Sequence, residues 1–458
     1  MSEPTLRAGG AELVITPPMG VEMAGYGPYE KRICTEVLDD LYARALWLES
    51  DGQALAIIAA DVCMVDLATH EATVAILKER CGLDGTHLMI CASHTHSGPA
   101  VLPTIAWGRV DQEYAARLPR LYAQVALAAR EAAGPARIGF CRTPITRVGV
   151  NREQPAIGLT DPAAQLLRVD RPDGQAAAVL YNFGAHGVTR YPYTSRISAD
   201  WPGLLAALLR SRLPGAIPLF QQGPCGNINS HEMTFDRRDP RSAQKVCDMR
   251  AGDVASRLAD QILPALSAIE PADNAPIRCL WKMIELPCVP TDRAEMEKLI
   301  RDNQPAADGM TLADLRPLHQ RIADETTQEI EWRQARWNVD RARKQLELLD
   351  HPPYVRKAPV QVVKIGPAVL VGWPAEVFLE LGLELRQRSP LPLTFVASFA
   401  NDTAGYIPTP AVYESRGKAN DFGYYPREVT PSIYGHLPYR PDVGRILLEE
   451  TLAMINSL

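Results

Sequence analysis

ALAIIAADVCMV (Ala54–Val65), EATVAILKERC (Glu71–Cys81), HLMICAS (His87–Ser93) and HTHSGP (His94–Pro99) follow one another closely, and their reading decides the fold. The first run is apolar except for Asp61, as a strand buried on both faces would be. The second carries apolar residues at helical spacing, and the third is again a short apolar strand. Strand, helix, strand predicts an α/β protein. Outward from this stretch the alternation continues. Asp111–Ala133 reads as a long amphipathic helix stopped by Gly134-Pro135. Ala164–Val169 and Ala176–Phe183 flank Asp170-Arg171-Pro172-Asp173-Gly174, a hairpin signal. Helices are expected over Trp201–Leu213 and Met249–Ile269, with a strand at Ile217–Gln221 between them. Val360–Val371 turns at Gly366-Pro367, and a helix over Ala375–Arg388, a strand over Leu393–Ala400 and a helix over Val443–Ser457 follow. The expected architecture is a layered mixed β-sheet core flanked by helices. No internal repeat is legible.

Between Thr291 and Asp350 the composition shifts to Glu, Arg, Gln and Leu. Two charged helices are predicted, Asp292–Asn303 and Leu312–Leu349, joined by a loop over Gln304–Gly309. A solvated hairpin is the plain reading; a lid over a site or a homo-oligomer contact are its alternatives. Residues 1–290 and 351–458 then form one domain interrupted by residues 291–350.

The chain has 458 residues, 46% of them hydrophobic and 22% charged, with a formal net charge of −6. That balance offers no basic surplus for phosphates, which argues against nucleic acid and against an anionic membrane surface as partners. No apolar run approaches the ~18–20 residues of a membrane span. Nine cysteines, widely spread and without a Cys-x-x-Cys pair, suit a reducing compartment rather than a disulfide framework or a zinc knuckle. With no signal peptide legible at the N-terminus, a cytoplasmic protein acting on a small molecule is expected.

The strongest chemical signal is His94-Thr95-His96-Ser97-Gly98-Pro99 at the end of an apolar strand. On an extended backbone residues i and i+2 face the same way, so both imidazoles can enter one site at the strand's C-terminal edge. Imidazole is a common zinc ligand; two turn histidines satisfied by backbone are the bland alternative. His186, within Asn182-Phe183-Gly184-Ala185-His186-Gly187, again ends an apolar strand and is an even choice between ligand and structural histidine. Gly223-Pro224-Cys225-Gly226-Asn227-Ile228-Asn229 can turn backbone N–H groups toward an oxyanion, although such turns are common. No Gly-x-Ser-x-Gly elbow and no Gly-x-Gly-x-x-Gly after a strand exist, which disfavours a serine hydrolase and a dinucleotide fold.

In this order the segments resemble the catalytic domain of the neutral/alkaline (non-lysosomal) ceramidases. The similarity runs through Ile15-Thr16-Pro17-Pro18, Met23-Ala24-Gly25-Tyr26-Gly27, Ser93–Pro99, Asn151-Arg152, Asn182–Val188 and Ile197-Ser198-Ala199-Asp200. It resumes at Gln222–Asn229, Trp373-Pro374-Ala375-Glu376 and Gly405-Tyr406-Ile407-Pro408-Thr409. The resemblance implies a Zn2+ held by His94, His186, Glu376 and Tyr406, with His96 facing the scissile group and Arg152 contacting substrate. Alone, Glu376 would read as a helix-end carboxylate and Tyr406 as loop packing. Where the family assigns a nucleophilic serine, this sequence has Asn229, with Ser230 one place later. An amide side chain is neither nucleophile nor acid. Attack by zinc-bound water, with His96 as proton shuttle, is therefore expected. The family's C-terminal immunoglobulin-like domain and secretion signal are expected to be absent.

The resulting expectation is a zinc-dependent amidohydrolase of a small or medium-sized cytosolic substrate. The alternatives are a true ceramidase or N-acyl lipid amidase, an ester or lactone hydrolase, a metal-dependent lyase or isomerase, and a non-catalytic ligand-binding descendant. Loops near Trp107, Arg190–Ser195 and Tyr413–Tyr425, including Arg416, Tyr424 and Tyr425, are expected to shape the pocket together with the helical insert.

Overall fold

The computed structural model describes residues 6–231, 239–414 and 424–458. Arg416 lies outside the described residues.

The expected α/β fold is present, built on a plan the sequence conceals. Three four-stranded arrangements repeat one topology. In the first, strands Leu6–Val14, Tyr42–Ser50, Gln53–Ala60 and Leu88–Ala92 lie side by side in that order, with Gly134–Pro135 added at the edge. The second orders Arg137–Pro144, Ala163–Asp170, Ala176–Phe183 and Ile217–Gln222; the third orders Ile277–Pro287, Val355–Ile365, Ala368–Gly372 and Leu393–Ala397. In each sheet the first three strands are antiparallel, and the fourth is parallel to the third. A helix makes each parallel crossover: Leu67–Cys81, Asp200–Arg212 and Leu379–Arg388. A second helix ends each unit, at Gln112–Glu131, Pro240–Ser267 and Val443–Asn456.

The three sheets share one core, where Leu48, Ile57, Leu167, Leu180, Val363 and Phe395 pack together fully buried. Helices cover the outer faces: Leu77 and Tyr122 against Ile58, Leu205 and Leu258 against Tyr181, Leu385 and Leu447 against Val396. Ala176–Phe183 and Leu88–Ala92 are buried at every position, and strands covered on both faces read as near-continuous apolar runs, here broken only by Asn182.

Several boundaries differ from expectation. Strands Tyr42–Ser50, Arg137–Pro144 and Ile277–Pro287 were not expected; Ile277–Pro287 mixes buried and exposed positions without clean alternation. The helix expected from Met249 begins at Pro240, where Asp239 caps it. The charged hairpin exists, with its first helix at Arg293–Ala307 capped by Asp292. Its second helix is broken: a short turn at Leu318–Arg321 precedes Thr327–Leu349, which starts at a Thr326/Glu329 capping box. The hairpin joins the first and second strands of the third unit. The shorter segments at the same place in the other two units, residues 15–41 and 145–162, carry Gly25 and Arg152.

Candidate metal centre

Each unit delivers residues to one point through the loops beyond the C-terminal ends of its parallel strands, where α/β sheets commonly place ligands. The first supplies Cys63 after its third strand and His94 and His96 after its fourth. The second supplies His186 after its third strand and Gly226–Asn229 after its fourth, and the third supplies Glu376 and Tyr406 in the same way. His94, His186 and Glu376 are fully buried, and one ligand atom from each lies within 4.8 Å of the others.

The histidine side chains are fixed from behind. His94 Nδ1 is 2.7 Å from the Cys63 carbonyl and His186 Nδ1 is 3.0 Å from the Ile228 carbonyl. A carbonyl only accepts, so each Nδ1 carries a proton and each Nε2 faces the centre, where it presents a lone pair once the ring holds no second proton. Those Nε2 atoms stand 3.6 and 3.2 Å from Glu376 Oε2. Two imidazole lone pairs and a carboxylate oxygen converging in a dry pocket form a donor set suited to zinc. Cys63, His94 and His96 form a second buried group, but Cys63 Sγ lies 3.6 Å from the Nδ1 side of His94, behind the ring.

Electrostatics point the same way. Burial disfavours charge on His94, yet Cys63 and Glu376 outweigh it and push this histidine up to about 10. Burial resists ionisation of Glu376 too, but His94 and His186 hold its carboxyl well below the usual range. Burial and the Arg152 guanidinium keep His186 down at about 4, and burial with His94 and His186 holds His96 well below an ordinary histidine. The buried Glu376 carboxylate is thus balanced by charge on His94.

His96 Nε2 is 3.0 Å from His94 Nε2, while its buried Nδ1 has no hydrogen-bond partner among the described residues. The pairing of the two rings does not come from simple strand alternation. The strand ends at Ala92, and His94 takes φ +59°, a left-handed conformation that a non-glycine residue adopts only where the surroundings enforce it. Hydrogen bonds donated by His94 N to Val62 O and by His96 N to Gly187 O hold this kink. Gly25, at φ +99°, lies directly against His96, and the Tyr26 ring meets the imidazole edge-on at 4.9 Å.

Glu376 also corrects its expected setting. It does not start a helix but pairs, in a two-residue parallel ladder, with Tyr406. Arg152 Nη1 donates to Tyr406 Oη at 3.0 Å and to the Gly226 carbonyl at 3.2 Å, and lies 3.4 Å from His186 Nε2. Burial pushes the Tyr406 phenol well above its usual range. Asn229 is bridged through its backbone to His186, and its side-chain oxygen is buried with no partner among the described residues. The glycine turn before it is structural: Asn227 accepts from Leu379 N and donates to Glu380, and Gly226 packs directly on the Glu376 carbonyl. Ser198 and Asp200 brace the loop after His186, and Trp201 Nε1 donates to the His186 carbonyl.

One participant was not anticipated. Tyr434 donates its hydroxyl to Glu376 Oε1. Only a tyrosine-rich composition around Tyr424–Tyr439 could have hinted at it.

This is a buried histidine–carboxylate centre at the meeting point of three α/β units. Residues 8–217, which include His94, His96, Arg152 and His186, match the family of neutral/alkaline non-lysosomal ceramidases, N-terminal domain. The family resemblance read from the sequence is thereby borne out over residues 8–217. The fold is that of the neutral ceramidase from Pseudomonas aeruginosa, with a TM-score of 0.73 at 18% identity over 100% of this chain and 75% of that one. A ceramidase complexed with C2 gives a TM-score of 0.73 at 17% identity, covering 99% of this chain and 75% of that chain. No curated protein sequence matches the chain.

Proposed function

We propose that this protein is a zinc-dependent amidase, and that its substrate is an N-acyl sphingoid base or a close N-acyl lipid. The family match over residues 8–217 carries this reading, supported by a competent side chain at every inferred metal position. His94, His186 and Glu376 would hold the zinc, with Tyr406 the candidate fourth ligand. When bound, zinc supplies Lewis acidity to the amide carbonyl and lowers the pKa of water.

The chain's own residues do the rest. Arg152, held against Tyr406, stands where it can donate to an amide oxygen as charge develops there. His96 can take a proton at its free Nδ1 and return it to the departing amine. Asn229 can orient a substrate hydroxyl or carbonyl through its amide but supplies no nucleophile. A second reading, hydrolysis of a smaller non-lipid amide, is favoured by that single departure.

The test is zinc content by elemental analysis alongside turnover of N-acylsphingosine and of short N-acyl amines, before and after chelation. About one zinc per chain, with N-acylsphingosine cleaved and activity restored by zinc, supports the proposal. Turnover of short amides alone would shift it to the second reading. A chain that binds zinc but hydrolyses neither would refute both. In the same assay Asn229→Ser is expected to raise activity on N-acylsphingosine; a fall would show that the asparagine is itself adapted to this substrate.

A further inference from the structure

Each inferred metal-binding histidine has its outer nitrogen tied to a backbone carbonyl, Cys63 for His94 and Ile228 for His186. The carboxylate has an equivalent tie. Glu376 turns Oε2 toward the two imidazoles, while Oε1 accepts from the Tyr434 hydroxyl. The approach is built in. Gly405 has φ +73°, and a Cβ there would come within 2.9 Å of the Tyr434 ring, so only a glycine lets the ring pass beside Tyr406. The other face is closed by Trp107, which meets Tyr434 edge-on at 5.6 Å.

The segment bearing Tyr434 is itself fastened to the helical hairpin. Arg341 donates to Ser432 Oγ at 3.2 Å and to the Glu428 carbonyl at 3.1 Å, and Gln345 donates to the His436 carbonyl at 3.2 Å. Trp337 packs with Trp107, Val429 and Ile433 in one apolar cluster. The hairpin therefore bears on the centre through a short chain of contacts that ends in one hydrogen bond.

We propose that Tyr434 is the positioning residue of the metal centre, orienting Glu376 for the cation, and that the hairpin helix Thr327–Leu349 holds it there. The inference rests on the zinc reading above. Outer hydrogen bonds to metal ligands fix ligand orientation, and their loss typically weakens metal binding by ~10–100-fold.

The experiment is zinc affinity of the full chain by competition with a fluorescent chelator, with thermal unfolding of the metal-free protein as fold control. Tyr434→Phe, which keeps the ring and removes the donor, is expected to weaken zinc by ~10–100-fold while the metal-free melting temperature stays put. Arg341→Ala, which leaves the phenol in place but loosens its segment, is expected to weaken zinc in the same direction and by less. It also decides the matter should Tyr434→Phe fail to fold. Zinc affinity within twofold of wild type in a folded Tyr434→Phe protein would overturn the inference and leave the zinc reading standing. So would a loss of turnover at unchanged affinity, which would place Tyr434 on the substrate. A wild-type chain that takes up no zinc would overturn both together.

Discussion

Gly25→Ala tests the position of His96 without touching any inferred metal ligand. An added Cβ would lie 2.6 Å from His96 Cγ, 2.7 Å from its Cβ and 2.8 Å from its Cα. Carbon atoms pack at ~3.5–4.0 Å, so the clash demands a displacement of about 1 Å. Because the Cα is among the contacts, a new rotamer cannot relieve it; the His96 backbone or the Gly25 turn must shift. Two costs follow. Alanine at φ +99° loses ~1–2 kcal/mol to left-handed backbone strain, and overpacking adds ~1–3 kcal/mol. A catalytic group misplaced by ~1 Å can lose ~10²-fold in rate.

Gly20 supplies the control. It has φ +91°, nearly the same, but a Cβ there meets nothing within 4 Å. Gly20→Ala should therefore show the backbone cost alone, with turnover unchanged. Gly25→Ala should show a larger stability loss and a roughly 10²-fold lower kcat on N-acylsphingosine, with about one zinc retained. Urea denaturation, elemental analysis and steady-state kinetics on the pair measure all three. Equal stability losses and equal rates for the two variants would refute the reasoning, since His96 would then neither abut Gly25 nor act in the reaction.

Two other substitutions separate binding from chemistry. Glu376→Ala removes the carboxylate from a fully buried trio, so zinc content and turnover should vanish together; a variant holding stoichiometric zinc would exclude this coordination set. His96→Ala should keep its zinc and lose ~10²–10⁴-fold in rate, the usual scale for a proton-transfer group, and an unchanged rate would make His96 structural.

The fold was legible where burial leaves a pattern. Apolar runs such as Leu88–Ala92 and Ala176–Phe183 and the amphipathic helix Gln112–Glu131 announce themselves, because burial on both faces or on one stripe restricts composition. Ile277–Pro287 escaped because its exposure alternates imperfectly. Among site residues, His94, His96 and His186 stood out as polar groups at the ends of apolar strands. Glu376 and Tyr406 carried no local signal and entered only through resemblance. Their partnership is a two-residue ladder between segments 30 positions apart, a purely tertiary fact. Tyr434 lay further still from any pattern, since its role depends on a hydrogen bond to Glu376 across 58 positions. The φ of +59° at His94 was equally invisible, because the residue type normally set there, glycine, has been replaced by the functional one.

The threefold topology explains why the centre is so evenly divided. In each unit the parallel pair of strands ends at the same side of the shared core, so six loops converge, two from each sheet. Backbone carbonyls and amides at those loop ends are consumed locally: Val62 O by His94, Ile228 O by His186, Gly405 O by Glu376. The side chains are thereby left free to face the centre. A second set of three segments, between the first and second strands of the units, closes over it. One brings Gly25 against His96, another brings Arg152 to Tyr406 and His186, and the third is the hairpin. Position in the plan thus gives residues 291–350 a structural reason to bear on the site, and Arg333, which donates to the Pro28 carbonyl, ties the hairpin to the first closing segment. The repeated element of the plan is geometric, so the unlike sequences of the three units hide it while the shared core and the convergence of loop ends reveal it.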